Sequence, residues 1–151
     1  MTIIKDSNEG ISEDIVTKFE HKWNVKLPIE YKRFLIKYNG GYPSPDAFAI
    51  KEIEDESTVD KFLSLESGPH SNLDSYVNTY IGRIPKDLLP IAHDPGGNLI
   101  CIGIKGENFG IIYFWDHEFE SDDNDPDYSN VHFVANNFDE FLKELYELED
   151  D

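Results

Sequence analysis

A chain of 151 residues with 31 acidic against 13 basic side chains carries a formal net charge of −18, which repels phosphate backbones and argues against nucleic acid as a ligand. Its 39% hydrophobic content suits one folded domain spanning residues 1–151, and no apolar run approaches the roughly 18 residues of a membrane span. The start, MTIIKDSNEG, has no export signal, and the lone Cys101 cannot form an internal disulfide, so a cytoplasmic protein is expected.

After this polar start, Ile11, Ile15, Phe19 and Trp23 recur every four residues, with Val16 beside them. That spacing predicts a helix capped by Ser12, with Glu13 and Asp14 in its first turn, ending near Asn24. Leu27-Pro28 opens a second helix whose buried stripe is Tyr31, Phe34, Leu35 and Tyr38. Asn39-Gly40-Gly41 supplies its left-handed stop. Two adjacent amphipathic helices need something to cover, and a sheet is the natural partner.

Ala47–Ile50 predicts a short strand, Glu52–Glu56 an acidic turn, and Val59–Leu65 a further strand. Asn72 caps a predicted helix with the stripe Leu73, Tyr76, Val77, Tyr80 and Ile81, stopped by Gly82. Pro85–Leu89 reads as a short turn, followed by a strand over Pro90–His93 and a tight turn, Asp94-Pro95-Gly96-Gly97. Asn98–Ile104 is apolar on both faces, the pattern of a central strand: Ile100, Ile102 and Ile104 on one, Leu99, Cys101 and Gly103 on the other. Lys105–Gly110 is a hairpin loop, and Ile111–Trp115 returns antiparallel. Asp116–Ser129 reads as an exposed acidic loop, Val131–Val134 as the last strand. A terminal helix capped by Asn136 or Asn137 follows, with the stripe Phe138, Phe141, Leu142, Leu145 and Leu148.

Each template for chemistry fails on a named residue. His93, Asp94 and Cys101 form a tempting trio, but no G-x-S-x-G elbow accompanies them, and the apolar setting of Cys101 fits a buried small residue. Asp123, Asp125 and Asp127 begin like a calcium loop, yet Tyr128 stands where the loop needs glycine and Val134 where it needs glutamate. Asp116, Glu118 and Glu120 fail likewise, with Ser121 and Asp127 at those places. Gly96-Gly97 lacks the Lys-Ser or Lys-Thr and the following helix of a phosphate loop. No metal or other cofactor is therefore expected, and no enzyme activity. Binding remains. Residues 116–151 hold fourteen acids against the single base Lys143, a balance of −13. A surface so charged attracts basic partners and speeds encounter with them, beyond keeping the chain soluble. Tyr113 and Trp115 share a strand face that runs into Asp116; aromatic residues beside charge are typical of interface centres, while core packing is the plainer reading for Tyr113.

Three stretches together resemble the SUKH superfamily, specifically its cell-wall-assembly-regulator-like immunity proteins. They are LPIEYKRFLIKYNGG from Leu27, LLPIAHDPGGNLICIGI from Leu88, and FDEFLKEL from Phe138. The section between Ala47 and Ile84 departs most from that pattern. The resemblance implies an α+β fold, a mainly antiparallel curved sheet with helices packed on it, and no enzymatic activity. It further implies an immunity protein that neutralises a cognate protein toxin, often a nuclease and so basic. A regulatory or scaffold module of the same superfamily is the alternative, and a small hydrolase built on His93 and Asp94 the remote third. For a binder, the expected contact residues are Asp94, Asn98, Trp115, Asp116, His117, Glu118, Asp122 and Asp123, at or after strand ends beside the aromatic edge.

Overall fold

The computed structural model describes residues 2–120 and 126–149. Helices α1 (Glu13–Trp23) and α2 (Ile29–Tyr38) follow strand β1 (Ile3–Lys5). The Ser12 side chain accepts from the Ile15 N–H, and Asn24 and Asn39 close the two helices in the left-handed conformation. Strands β2 (Tyr42–Ser44), β3 (Ala47–Ile50), β4 (Asp55–Thr58) and β5 (Lys61–Phe62) lead to α3 (Leu73–Tyr80). Then come β6 (Leu88–His93), β7 (Leu99–Gly103), β8 (Ile112–Trp115), β9 (Val131–Ala135) and α4 (Phe138–Glu144).

Strands β5 to β9 form one antiparallel meander in chain order, with β7 central. Its register sets Leu99 opposite Trp115 and Trp115 opposite Val131. Two further antiparallel pairs, β1 with β2 and β3 with β4, lie outside it. Reciprocal backbone hydrogen bonds of 3.0 Å between Ala47 and Tyr146 tie β3 to the chain after α4. Pro90 sits inside β6, where it cannot donate to a ladder, and the register shifts between Pro90 and Ala92 to accommodate it.

The two faces of β7 separate as their alternation predicts. Ile100, Ile102 and Ile104 join the main core with Val16, Phe19, Tyr31, Phe34, Phe62, Phe138 and Phe141. Leu99 and Cys101 join a smaller cluster with Ile84, Leu88, Trp115 and Val131, covered by Tyr76 and Tyr80 of α3. Burying each such large side chain contributes about 1.5–3 kcal/mol, which is what holds α1, α2 and α4 to the sheet. Tyr31 is fully buried, and among the described residues its hydroxyl has no hydrogen-bond partner, so burial pushes its pKa up.

Several local expectations need correction. Residues 3–5 and 42–44 pair as β1 and β2 although neither stretch has an apolar strand pattern. The acidic turn at residues 52–56 is a 3₁₀ turn over Lys51–Ile53 that leads straight into β4. The strand expected over 59–65 is reduced to β5, Lys61–Phe62, with Ser64 in an isolated bridge to Asn72. Ile81 is 65% exposed and Leu148 45% exposed because α3 ends at Tyr80 and α4 at Glu144, leaving both beyond the buried stripe.

Candidate functional site

The β6–β7 turn and the segment after β8 meet at one end of the sheet, because the antiparallel register carries residue 98 alongside 116–117. Asp94 organises the turn. Its Oδ1 accepts from the Gly96 N–H at 2.9 Å and the Asn98 N–H at 2.7 Å. Its Oδ2 accepts from Asn98 Nδ2 at 3.0 Å and from Ser57 Oγ of β4 at 2.8 Å. Asn98 passes the order on, its Oδ1 accepting from the His117 N–H at 3.0 Å. The His117 ring lies over Gly97, whose φ of +87° favours glycine.

Asp116 leaves β8 between two bonds to Asn130: its N–H donates to the Asn130 carbonyl at 3.0 Å, and its carbonyl accepts from Asn130 Nδ2 at 2.9 Å. The Asp116 Oδ1 accepts from the Glu118 N–H at 3.0 Å and caps a 3₁₀ turn, His117–Phe119. That turn holds His117, Glu118 and Phe119 out of the surface, with Phe119 69% exposed. Glu120 then anchors the segment to α3's far end, taking a bidentate pair from Arg83 at 2.8 and 3.0 Å. The Arg83 guanidinium lies 4.5 Å from the Tyr80 ring centroid, and Tyr80 meets Trp115 edge-on at 5.6 Å. The hydrogen bond from Arg83 holds the Glu120 carboxyl below its ordinary value near 4.5. A carboxylate with a depressed folded-state pKa adds stability above that ordinary value and loses it as pH falls through the depressed one. The stability difference between the native protein and Glu120→Gln, followed by urea unfolding at stepped pH, should therefore shrink below about pH 4.5. A difference independent of pH would remove the pair's role.

The expected contact residues thus divide. Asn98, Asp116, His117 and Glu118 are brought together, the first two half-buried and the last two exposed. Asp94 is 6% exposed with its carboxylate committed to the turn, and Trp115 is 1% exposed beneath Tyr80. Neither offers a face to a partner; both support the surface formed by Asn98, Asp116, His117 and Glu118. Asp122 and Asp123 lie outside the described residues. Cys101 is fully buried, and burial pushes its thiol pKa up, away from reactivity. His93 pairs not with Asp94 but with Asp60 and Ser71. Among the described residues, no three His, Cys, Asp or Glu side chains are grouped to hold a metal. Sequence reasoning missed Phe119 and the Arg83–Glu120 anchor. The available signal was Phe119 itself, a lone aromatic between Glu118 and Glu120.

Comparison with known proteins places this arrangement in a family. The SPbeta prophage-derived uncharacterized protein YokK of Bacillus subtilis (strain 168) is 33% identical over 161 residues, spanning 93% of this chain and 74% of that protein. The sequence model of the SMI1 / KNR4 family (SUKH-1) matches residues 10–144, a span that takes in all four described helices and the five-stranded sheet, so the chain belongs to that family.

Proposed function

We propose that this protein is an immunity protein that binds a cognate toxin in the cytoplasm of the producing cell and blocks it. The observation that carries this is Phe119: a 69% exposed aromatic framed by Asp116, Glu118 and Glu120 on a turn already fixed by side-chain hydrogen bonds. A pre-organised anchor ringed by like charge suits a basic protein partner, since little ordering entropy is lost on binding. A nuclease fits best. Nucleases grip phosphate with Lys and Arg, and an acidic inhibitor both steers toward that surface and occupies it. Family membership and the prophage origin printed in the relative's name support the same reading. Neither nucleic acid nor a membrane is a partner on this view; no described helix is long and apolar enough to cross one. Neutralisation by occupation asks no chemistry of the chain and no cofactor.

The test uses the toxin encoded beside this gene, co-expressed and then measured by stopped-flow binding at two salt concentrations. Phe119→Ala should raise the dissociation rate by roughly 30-fold, the scale of an interface anchor of about 2 kcal/mol. Joint replacement of Asp116 and Glu118 by Asn and Gln, with Asp122→Asn and Asp123→Asn, should instead slow association and flatten its salt dependence. If all rates stay as they were, this face is not the interface. Several weak partners in place of one tight complex would favour the regulatory or scaffold alternative.

A further inference from the structure

A groove of about 550 Å³ opens where the ends of α1 and α3 meet the chain entering β6. Its floor is apolar: Ile84, Leu88, Leu89 and Ile104, all buried. Pro85 and Pro90 add to the lining and carry no N–H, so they bring no backbone donor. Half-buried Trp23 and Val77 stand at the sides, and exposed Ile81 at the edge. The Trp23 ring is fixed in place. Its Nε1 donates to Asp74 Oδ1 at 2.8 Å, and Lys22, 5.3 Å from the ring centroid, pairs with the other oxygen of the same carboxylate at 2.8 Å. Two charged residues complete the lining, Lys86 and Lys105, both exposed. Among the described residues neither makes an ion pair, and no acid lines the groove. In a chain where acids outnumber bases 31 to 13, the sign of the charge reverses here.

We propose that this groove binds a free medium-chain carboxylate, with the alkyl chain over the apolar floor and the carboxylate at Lys86 and Lys105. A concave apolar lining with a few charged groups is the usual form of a small-molecule site, and the volume suits a chain of roughly eight to ten carbons. The lysines set the sign of the head group. A cationic amphiphile meets two like charges, and a neutral one leaves both unused. The net charge of −18 sets the source. It repels an anionic bilayer, which leaves a free acid in place of a lipid chain still in its membrane. It also opposes a second copy of this chain as the occupant. A basic toxin segment would be repelled by the same two lysines. The groove is therefore distinct from the face around Phe119, and the inference does not rest on toxin binding. The fixed Trp23 ring adds to the site by lowering the ordering cost of binding.

The experiment titrates the intact ¹⁵N-labelled protein with sodium octanoate and follows amide shifts by NMR. The expected result is saturable shifts at the Ile81, Gly82, Lys86 and Lys105 amides and at the Trp23 indole N–H, with the Phe119 amide unmoved. Across hexanoate, octanoate and decanoate, each added CH₂ should tighten binding roughly threefold, a little under the increment for full burial. Octyltrimethylammonium has the same chain and the opposite charge, and should bind at least about tenfold more weakly. Lys86→Gln combined with Lys105→Gln should weaken octanoate by roughly fivefold and leave 1-octanol as it was, a split that general damage to the fold would not produce. Ile81→Glu, an exposed replacement that the fold tolerates, should weaken octanoate through repulsion at the groove edge. Phosphatidylglycerol vesicles should not carry the protein down on sedimentation. The proposal is overturned by the absence of saturable shifts at the groove, by equal affinity for octanoate and octyltrimethylammonium, or by capture on the vesicles. Groove amides that shift with protein concentration alone would give the site to a second copy and overturn it as well.

Discussion

Replacing Phe62 by Ala is expected to cost about 3–5 kcal/mol of folding stability. Phe62 is fully buried, with ring centroids 4.8 Å from Phe34, 5.8 Å from Phe138 and 6.5 Å from Phe141. It therefore joins α2, α4 and the sheet at one point. Its backbone does equal service: the N–H donates to the Gly41 carbonyl at 2.9 Å, and the residue pairs with Ala92 of β6. Strand β5 is short, but Asp60 and Leu63 on either side of it also donate their N–H groups to the His93 and Ile91 carbonyls at 2.9 Å, so backbone and side chain hold the sheet edge together. A cavity there cannot collapse without moving a helix, which places the cost high in its range. Urea unfolding should show a lower midpoint at unchanged slope, and heating a fall in Tm of about 10 °C. Phe119→Ala, at an exposed position, should stay within about 0.5 kcal/mol of the native protein. A Phe62→Ala loss below about 1 kcal/mol would show that the junction is held elsewhere.

The contrast between those two phenylalanines shows where sequence reading stops. Periodicity and caps located α1, α2, α3 and α4, because those signals are local: Ser12, Asn24, Asn39, Asn72 and Asn137 all act within four residues of themselves. The two apolar faces of β7 were legible for the same reason. Strand β4, Asp55–Thr58, was not, since its polar residues become a strand only by pairing with β3 at the surface. Strands β1 and β2 depend likewise on a partner some forty positions away. At the site, the structure brings Asn98 and Asp116–Glu118, which the sequence offers only as residues at or after strand ends, to one end of the sheet. What each does there was hidden. Trp115 turned inward beneath Tyr80 and Phe119 outward, although both are aromatics beside acid. The Arg83–Glu120 anchor and the contacts of His93 with Ser71 and Asp60 join residues far apart in the chain, and no spacing rule can reveal such pairs.

Asp94→Ala should destabilise the fold by about 3 kcal/mol and loosen the proposed binding surface with it. One buried carboxylate receives four donors: the Gly96 and Asn98 backbone N–H groups, the Asn98 side-chain amide and the Ser57 hydroxyl. Removing the acceptor orphans all four. Water can reach those on the exposed turn, but less readily Ser57 and the inner side of Asn98, so the loss falls short of four full hydrogen bonds. Asp94→Asn should cost roughly half as much. It keeps one oxygen for the two backbone donors, yet sets an NH₂ group against the Asn98 amide and the Ser57 hydroxyl. The consequence for function runs through Asn98. Once its side chain is free to turn, the His117 N–H loses its acceptor, and the 3₁₀ turn that presents Phe119 loses one of its ties to the sheet. Hydrogen exchange should therefore show the His117 amide exchanging faster in Asp94→Ala by a factor larger than the global stability loss explains, with amides of central β7 following global stability alone. Equal changes at both places would mean that Asp94 stabilises the whole fold without organising this end of it.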